Sequence, residues 1–251
     1  MPDTRSHRGP HPDDAVLFGP PARPALCGAT ADLCWLLTRG YASTGAAKLV
    51  GDRFQLAARQ RIAVVRAACS DSALAGRTAR RLARDALRGR PLALDGYNVL
   101  TTVEAALAGG VILAARDGAY RDMASMHGSF RRVAETQPAL DLIGRTAEGL
   151  GAAECHWYLD RPVSNSGRLR ALMVDVATEA GWRWTVELVN SPDAVLRQTS
   201  LAVATADSAV LDRCAGWFNL ARETVARFVP GAWVLELPGP APGGESAPGG
   251  T

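Results

Sequence analysis

The sequence lacks the features that define several large protein classes. No apolar run approaches the ~20 residues that a membrane-spanning helix needs, and the first thirty residues are polar and proline-rich rather than an apolar leader. The five cysteines are odd in number, widely spaced and without a C-x-x-C pair, which argues against a disulfide framework and a cysteine-rich zinc site. Neither a G-x-G-x-x-G nor a Walker A loop is present, so nucleotide-cofactor and P-loop functions lose their main support. We expect a cytoplasmic protein with no membrane partner.

Lysine is almost absent, and the positive charge is unevenly distributed. Lys48 is the one lysine among 28 basic residues. Between Arg39 and Arg90, twelve basic side chains accompany three acidic ones, a net charge of +9, whereas residues 91–251 carry a net charge of −5. This asymmetry predicts two modules with different roles. The basic module would attract nucleic-acid phosphates without regard to sequence; a solvated arginine-rich helix face and a surface that pairs with a partner protein are the alternatives.

The apolar pattern predicts helices in the first third of the chain. Leu33, Leu36 and Leu37 fall on one helical face, and two further stretches with helical spacing follow before Pro91. No strand-like alternation interrupts them. Residues 26–90 are therefore predicted to form a small, basic, all-α module.

After Pro91 the pattern changes to short apolar runs that alternate with helical segments. The runs are PLALD, GVILAARD, ECHWYLD, WRWTVELV, SLAVATAD and AWVLEL. Strands separated by helices imply right-handed crossovers and a mostly parallel sheet with helices on both faces. Residues 91–237 are therefore predicted to form a three-layer α/β domain. The Pro- and Gly-rich ends, residues 1–25 and 238–251, are predicted to be disordered tails.

Aspartates end or closely follow the predicted strands. They are Asp95, Asp117, Asp160, Asp193 and Asp207. Because the carboxyl ends of parallel strands share the edge where ligands bind, we expect these carboxylates to converge. Clustered carboxylates raise one another's pKa unless a cation neutralises them, and all-oxygen ligation favours Mg²⁺ or Mn²⁺. The matching chemistry is metal-assisted hydrolysis of a phosphodiester; for any single aspartate, a helix cap or a turn is the alternative.

Three motifs resemble a family of nucleases. They are DGYNVL (95–100), SPDAVL (191–196) and VATADS (203–208). In this order they resemble the D-G-Y-N, A-D-D-x-I and V-x-T-S-D segments of PIN-like nucleases of the NYN type, especially the YacP-like RNases. The helical segment followed by this domain also resembles a two-domain family of bacteria and archaea.

The resemblance implies a fold, an activity and roles for individual residues. It implies a PIN-like α/β domain that cleaves RNA, with metal ligation by Asp95, Asp193 and Asp207. It further implies that Asn98 positions the phosphate or the Asp95 carboxylate. Asp160 falls where the family often has another acid after its second core strand, so we include it among the catalytic and metal-binding candidates.

A second group of candidates follows Asp160 directly and opens a predicted helix. Ser164, Asn165 and Ser166 offer a cap and free amides at the positive end of the helix dipole, and Arg161 and Arg168 add charge. A phosphate of the substrate would bind there; an ordinary helix cap is the alternative. Arg121, in the segment DGAYRD, is a further candidate substrate contact, although a plain turn explains that segment equally well.

Two functions remain open from the sequence. The first is an Mg²⁺- or Mn²⁺-dependent nuclease that hydrolyses phosphodiester bonds in RNA. The second is a non-catalytic nucleic-acid-binding or regulatory protein with a PIN-like fold.

Overall fold

The structure, a computed structural model, describes residues 7–123 and 130–240. The chain forms two compact units, each assembled from separate parts of the sequence. The first unit comprises residues 1–10, 80–110 and 124–233, and the second comprises residues 11–79, 111–123 and 234–251. The two units are thus interleaved along the chain, whereas the sequence predicted contiguous modules that meet at residues 90 and 91.

The described residues contain helices and strands in the following order. The helices are α1 (Asp14–Leu17), α2 (Arg23–Thr38), α3 (Ser43–Arg53), α4 (Ala58–Ala67), α5 (Asp71–Arg80), α6 (Gly96–Leu107), α7 (Thr136–Gly149), α8 (Ser166–Ala180), α9 (Pro192–Gln198), α10 (Ser208–Leu211) and α11 (Leu220–Phe228), with 3-10 turns at Pro20–Ala22 and Arg84–Leu87. The strands are β1 (Pro91–Asp95), β2 (Ile112–Ala114), β3 (Tyr120–Asp122), β4 (Glu154–Asp160), β5 (Trp184–Val189), β6 (Ala202–Ala204), β7 (Trp217–Phe218) and β8 (Val234–Glu236). Within these ranges, no helix combines the length and apolarity that crossing a membrane requires.

A five-stranded parallel sheet organises the first unit. Its strand order is β5-β4-β1-β6-β7, and every neighbouring pair is parallel. Leu92, Ala93 and Leu94 of the central strand β1 are completely buried, as expected for a strand covered on both faces. Helices α6, α7 and α11 pack on one another. Helix α9 packs on strands β1 and β4, and α10 packs on α9. The predicted three-layer α/β architecture is confirmed.

The strand order reverses beside β1. The chain runs outward from β1 to β4 and β5, and then returns to place β6 on the other side of β1. In open α/β sheets, such a reversal opens a crevice at the carboxyl ends of the two central strands, here β1 and β6. The fold therefore provides a ligand-binding position at the ends of these strands.

The second unit contains the predicted N-terminal helices together with a sheet. Helices α1 to α4 lie in it with most of α5, and β2 pairs with β3 antiparallel and with β8 parallel. The runs GVILAARD and AWVLEL do form strands, but these strands belong to this second sheet rather than to the main one. Gly118, with φ of 79°, closes the turn between β2 and β3, so the hairpin forms locally and removes β2 from the parallel sheet.

Two further predictions about the first ninety residues differ from the structure. Residues 14–17 and 23–25, predicted to be disordered, are helical, while residues 1–6 and 241–251 lie outside the described residues. The third predicted helix ends at Arg80 rather than near Pro91. It ends there because the Leu82 N–H donates to the Trp217 carbonyl at 2.8 Å, which aligns the chain with β7.

Candidate active site

The four candidate metal ligands lie at the carboxyl edge of the parallel sheet. Asp95 and Asp160 are the last residues of β1 and β4, Asp193 is in the first turn of α9 after β5, and Asp207 is the N-cap of α10 after β6. Parallel pairing of the strands brings these positions to one edge. Asp95 and Asp207 flank the crevice where the strand order reverses.

Asp95 lies at the centre of the group and is buried. Its Oδ2 accepts a 2.8 Å hydrogen bond from the Thr205 hydroxyl. Burial raises the pKa of Asp95 to about 7; the bonds from Thr205 and the Asn98 N–H oppose the rise, and the charges of Asp207 and Asp193 add to it. A buried carboxyl with this pKa is poised between its two protonation states near neutral pH.

Asp160, Asp193 and Asp207 interact electrostatically across the same edge. Burial raises the pKa of Asp160, and the charge of Asp193 adds to the rise. Burial and then Asp207 raise the pKa of Asp193, while Arg197 lowers it. The carboxylates therefore repel one another, as carboxylates do when no cation is bound between them.

Asp207 also has a structural role. Its Oδ1 accepts the Ala209 and Val210 N–H groups at 2.8 and 3.0 Å, which caps α10. Its own N–H donates to the Thr205 hydroxyl at 3.0 Å. The helix-cap alternative that the sequence left open thus describes a real contact of this residue, although the cap occupies only one of its two carboxylate oxygens.

Asn98 forms hydrogen bonds with Ala206 and Asp95. Its Oδ1 accepts the Ala206 N–H at 2.8 Å, which ties α6 to the loop after β6. Its own N–H donates to the Asp95 carboxyl. Of the two roles that the resemblance implied, the contacts agree with positioning of the Asp95 carboxylate.

The glycine of the DGYN motif permits a close approach of two elements. A Cβ on Gly96 would lie 2.5 Å from Leu159 Cδ2 and 2.9 Å from the Tyr158 carbonyl oxygen. Only a glycine lets α6 begin so close to β4. This contact places Tyr97 and Asn98 beside the carboxyl end of β4.

The predicted phosphate-binding segment lies at the start of α8. The Arg161 Nη2 donates to the Leu188 carbonyl at 2.7 Å, and the buried Ser166 has its hydroxyl 3.5 Å from the Arg161 carbonyl. Asn165 has φ of 69°, and its side chain donates to the Phe130 carbonyl at 3.0 Å. Ser164 and Arg168 are exposed. All five candidates are thus within one loop and the first turn of the following helix.

Asp117 was predicted to converge with the other strand-end aspartates, and Arg121 was a candidate substrate contact, but the strands that flank them belong to the second sheet. Both belong to the second unit, where Arg121 Nη1 and Nη2 donate to the Asp117 carboxylate at 2.9 and 2.7 Å. Arg77 donates to the same carboxylate at 2.7 Å, and all three residues are buried. Burial would raise the pKa of Asp117, but the two arginines outweigh it and lower the pKa to about 2. This buried ion-pair network gives Arg121 a structural role in the hairpin.

Many arginines of the basic segment bind groups of the protein itself. Arg80 donates to the Leu211 carbonyl at 3.1 Å, and Arg39 lies 3.6 Å over the ring of Trp35. The segment's arginines form ion pairs that include Arg53 with Asp32, Arg59 with Asp14, Arg61 with Asp52, Arg66 with Asp122, Arg77 with Asp117 and Arg84 with Glu223. Much of the segment's charge is thus balanced within the chain, which weakens the prediction of a phosphate-binding surface there.

Two observations bear on whether a divalent cation fits the site. In residues 7–123 and 130–240, no three His, Cys, Asp or Glu side chains are arranged closely enough to hold a metal ion. The donor set nevertheless has the chemistry that Mg²⁺ and Mn²⁺ prefer, because it consists of mutually repelling carboxylate oxygens. The carboxylate oxygens thus suit Mg²⁺ or Mn²⁺ chemically. Binding of the cation would relieve the electrostatic repulsion between the carboxylates.

Thr205 and Tyr97 are site residues that the sequence analysis did not select. Thr205 bridges Asp95 and Asp207 and is buried. Tyr97 is buried beside Asp160 and the Ser166 hydroxyl, and burial followed by the Asp160 charge raises its pKa. Both lie inside the recognised motifs, two residues from an aspartate, and this adjacency was the available signal.

Two family models match the chain. Residues 25–80 match the family described as "Protein of unknown function (DUF434)". The "Uncharacterized protein MJ0935" of Methanocaldococcus jannaschii is 27% identical over 181 residues, which are 72% of this chain and 86% of that protein. No solved structure matches the chain. Residues 84–223, more than half of the chain, match the family described as "Domain of unknown function (DUF5616)", and the chain therefore belongs to the DUF5616 family.

Proposed function

We propose that the protein is an Mg²⁺- or Mn²⁺-dependent nuclease that hydrolyses phosphodiester bonds in RNA. One observation carries the proposal: Asp95, Asp160, Asp193 and Asp207 lie at the carboxyl edge of a parallel sheet, and the charges of neighbouring aspartates add to the raised pKa values of Asp95, Asp160 and Asp193. A carboxyl whose pKa is raised to about 7 by burial, with a further contribution from neighbouring carboxylates, is costly to the fold when ionised, which suggests that it serves a ligand. The choice of RNA comes from the resemblance to PIN-like nucleases.

The four aspartates would hold the cation, and neighbouring groups would orient them. A divalent cation supplies charge neutralisation at the phosphate and activation of the attacking water. Thr205 and the Asn98 N–H hold the Asp95 carboxylate in one orientation, and the cap on α10 does the same for one oxygen of Asp207. In the reaction, a water oxygen bonds to phosphorus, one P–O ester bond breaks, and the products are a phosphate monoester and an alcohol.

A second candidate function is a non-catalytic nucleic-acid-binding or regulatory protein with a PIN-like fold. It is favoured by the lack of a preformed three-ligand group in the described part of the chain. The caps and hydrogen bonds of Asp95 and Asp207 would then be purely structural. The two candidates differ in whether the protein needs a divalent cation.

We propose further that the protein acts in the cytoplasm. All five cysteines are free thiols, and four of them are buried. Unpaired thiols are typical of reducing compartments.

Cleavage of a labelled single-stranded RNA tests the nuclease proposal. The wild type, Asp95→Asn and Asp175→Asn are assayed with Mn²⁺ and with EDTA. Asp175 is an exposed residue of α8, so its variant makes the same charge change away from the edge. We expect Mn²⁺-dependent cleavage by the wild type and by Asp175→Asn, and at least a ~100-fold loss in Asp95→Asn, the scale of removing an essential electrostatic group. Cleavage that persists equally in Asp95→Asn would contradict the proposal, and RNA binding without cleavage by any of the three would favour the second candidate.

A further inference from the structure

The N-terminal segment, residues 7–10, is anchored in the first unit by a buried ion pair. Arg8 Nε lies 2.5 Å from Oε2 of Glu104 on α6, and the two side chains are 9% and 0% exposed. A Cβ on Gly110 would lie 3.2 Å from the Arg8 carbonyl oxygen, so the backbone of the segment also packs closely against the turn after α6. The sequence predicted a disordered tail here, whereas the structure buries its arginine.

Glu104 is a completely buried carboxylate, and Arg8 supplies a cation beside it. Glu104 Oε1 accepts a 2.6 Å hydrogen bond from the Thr136 hydroxyl. Burial raises the pKa of Glu104 to about 7, although the charge of Arg8 and the Thr136 hydrogen bond lower it. A buried carboxylate is costly to the fold unless a partner balances its charge. Helix α6 thus offers a position that favours a cation, and Arg8 fills it.

Further contacts of Arg8 suit a guanidinium better than an ammonium group. Its Nη2 donates to the Arg131 carbonyl at 3.2 Å, and its guanidinium lies 5.6 Å from the centroid of the Phe130 ring. A planar guanidinium can bind several acceptors at once and pack over an aromatic ring, whereas an ammonium is a compact point charge. Arg8 therefore joins α6 to the start of the segment 130–136.

Phe130 extends this connection to the candidate active site. Its N–H donates to the Ser164 carbonyl at 3.0 Å, and its carbonyl accepts the Asn165 side chain at 3.0 Å. Its ring contacts the ring of Tyr97, with 5.4 Å between the centroids. Ser164 and Asn165 belong to the loop 161–165, which directly follows Asp160. The position of this loop therefore depends on Phe130, which in turn packs against Arg8.

We propose that Arg8 is a positioning residue of the candidate active site. Its guanidinium, bound to Glu104, holds Phe130 and thereby the loop 161–165 beside the carboxyl edge of the sheet. The pocket formed by Glu104, the Arg131 carbonyl and the Phe130 ring is a guanidinium-binding site that the protein's own N-terminal segment occupies. That the loop contacts RNA rests on the proposed function, whereas the dependence of the loop on Arg8 does not.

Hydrogen exchange of backbone amides in the full-length ¹⁵N-labelled protein tests the proposal without RNA or metal. The reporter is the Phe130 N–H, and the reference is the Cys155 N–H in β4, which donates to the Arg183 carbonyl at 2.9 Å. Arg8→Ala should remain folded, because Glu104 can take up a proton when the cation is removed. We expect exchange at Phe130 to accelerate at least about tenfold, the scale of losing a charged hydrogen bond, with little change at Cys155.

A second variant releases Arg8 without changing the N-terminal segment. Glu104→Gln removes the charge that holds Arg8 and keeps an oxygen for the Thr136 hydroxyl. It should accelerate exchange at Phe130 as Arg8→Ala does. Ethylguanidinium matches the atoms that Arg8→Ala removes, so adding it to this variant should restore slow exchange at Phe130, whereas ethylammonium should not.

Arg145→Gln is the matched control. It removes an arginine of the same unit that forms an exposed ion pair with Asp141, so exchange at both amides should stay unchanged. Equal acceleration at Phe130 and Cys155 in Arg8→Ala would show a general loss of stability and overturn the proposal. Unchanged exchange at Phe130 in this variant would overturn it as well.

The RNA cleavage assay tests the role of the loop in the reaction. If the loop contacts RNA, Arg8→Ala should raise the KM about threefold to tenfold and change kcat less, and ethylguanidinium should lower the KM again. An unchanged KM in an active enzyme would overturn the role of Arg8 in the reaction. An inactive wild type would contradict the nuclease proposal, and the exchange measurements would still decide whether Arg8 positions the loop.

Discussion

The Thr205 hydroxyl donates a 2.8 Å hydrogen bond to Oδ2 of Asp95, across the point where the strand order of the sheet reverses. The same hydroxyl accepts the Asp207 N–H at 3.0 Å. One buried side chain thus couples the end of β1 to the loop after β6. The position of the Asp95 carboxyl is therefore coupled to that of Asp207, which caps α10.

The raised pKa of Asp95 predicts a pH-dependent stability. A carboxyl with a pKa near 7 when folded and 3.8 when unfolded stabilises the fold fully below about pH 4, and this contribution is lost as the pH rises to 7. We expect wild-type protein in EDTA to lose on the order of 2–4 kcal/mol more than Asp95→Asn between pH 4 and pH 8. Urea unfolding at the two pH values measures the difference.

Asp175→Asn is the control for this experiment, because it removes an exposed carboxylate of the same unit. It should keep the pH dependence of the wild type. Parallel pH profiles for the wild type and Asp95→Asn would show that Asp95 titrates near its ordinary pKa in the folded protein.

Two substitutions of Asp207 separate its cap from its charge. Asp207→Asn keeps an oxygen for the Ala209 and Val210 N–H groups, so the stability should change by less than about 0.5 kcal/mol. Asp207→Ala removes the cap and should cost about 1 kcal/mol. Thermal unfolding in EDTA compares the two variants.

The RNA cleavage assay of Asp207→Asn decides the role of the charge. If Asp207 is a metal ligand, this well-folded variant loses Mn²⁺-dependent cleavage. Equal cleavage by the wild type and Asp207→Asn, in preparations free of contaminating nuclease, would leave this residue with its structural role alone.

The ion pairs of Asp117 predict a large loss of stability on neutralisation. Asp117→Asn would remove the buried carboxylate that Arg77 and Arg121 both contact, and removing one partner of a buried pair costs about 3–5 kcal/mol. Asp141→Asn breaks the exposed pair of α7 with Arg145 and should cost at most about 0.5 kcal/mol. Urea unfolding of both variants tests the contrast; equal costs would mean that the hairpin does not depend on its ion pairs.

Two glycines should respond to alanine in opposite ways. Gly96→Ala pushes a Cβ against Leu159 and the Tyr158 carbonyl, and overpacking of this kind costs about 1–3 kcal/mol. Gly45, inside α3, has nothing within 4 Å of its Cβ position, so Gly45→Ala should stabilise the protein by about 0.5–1 kcal/mol. Thermal unfolding measures both changes. A neutral Gly96→Ala would show that α6 can move away from β4.

The alternation of apolar runs and helical segments in the sequence predicted the central strand and the strand-end aspartates of the site. The run PLALD became the buried central strand, and Asp95, Asp160, Asp193 and Asp207 lie where strands β1, β4, β5 and β6 end. These positions follow from the alternation of strands and helices, because right-handed crossovers make successive strands parallel and bring their carboxyl ends to one edge.

The tertiary structure decided which strands share a sheet and which charges meet. The sequence of a three-residue strand such as β2 does not indicate which sheet the strand will join. Strand β2 pairs with β3 in a local hairpin, so it lies with Asp117 and Arg121 in the second unit. Net charge similarly gave no sign that Arg77 is buried or that Arg84 pairs with Glu223. The raised pKa values of Asp95 and Tyr97 likewise depend on burial by residues distant in sequence. Periodicity encodes local structure and the direction of strands, whereas burial and ion pairing are set by contacts between distant segments.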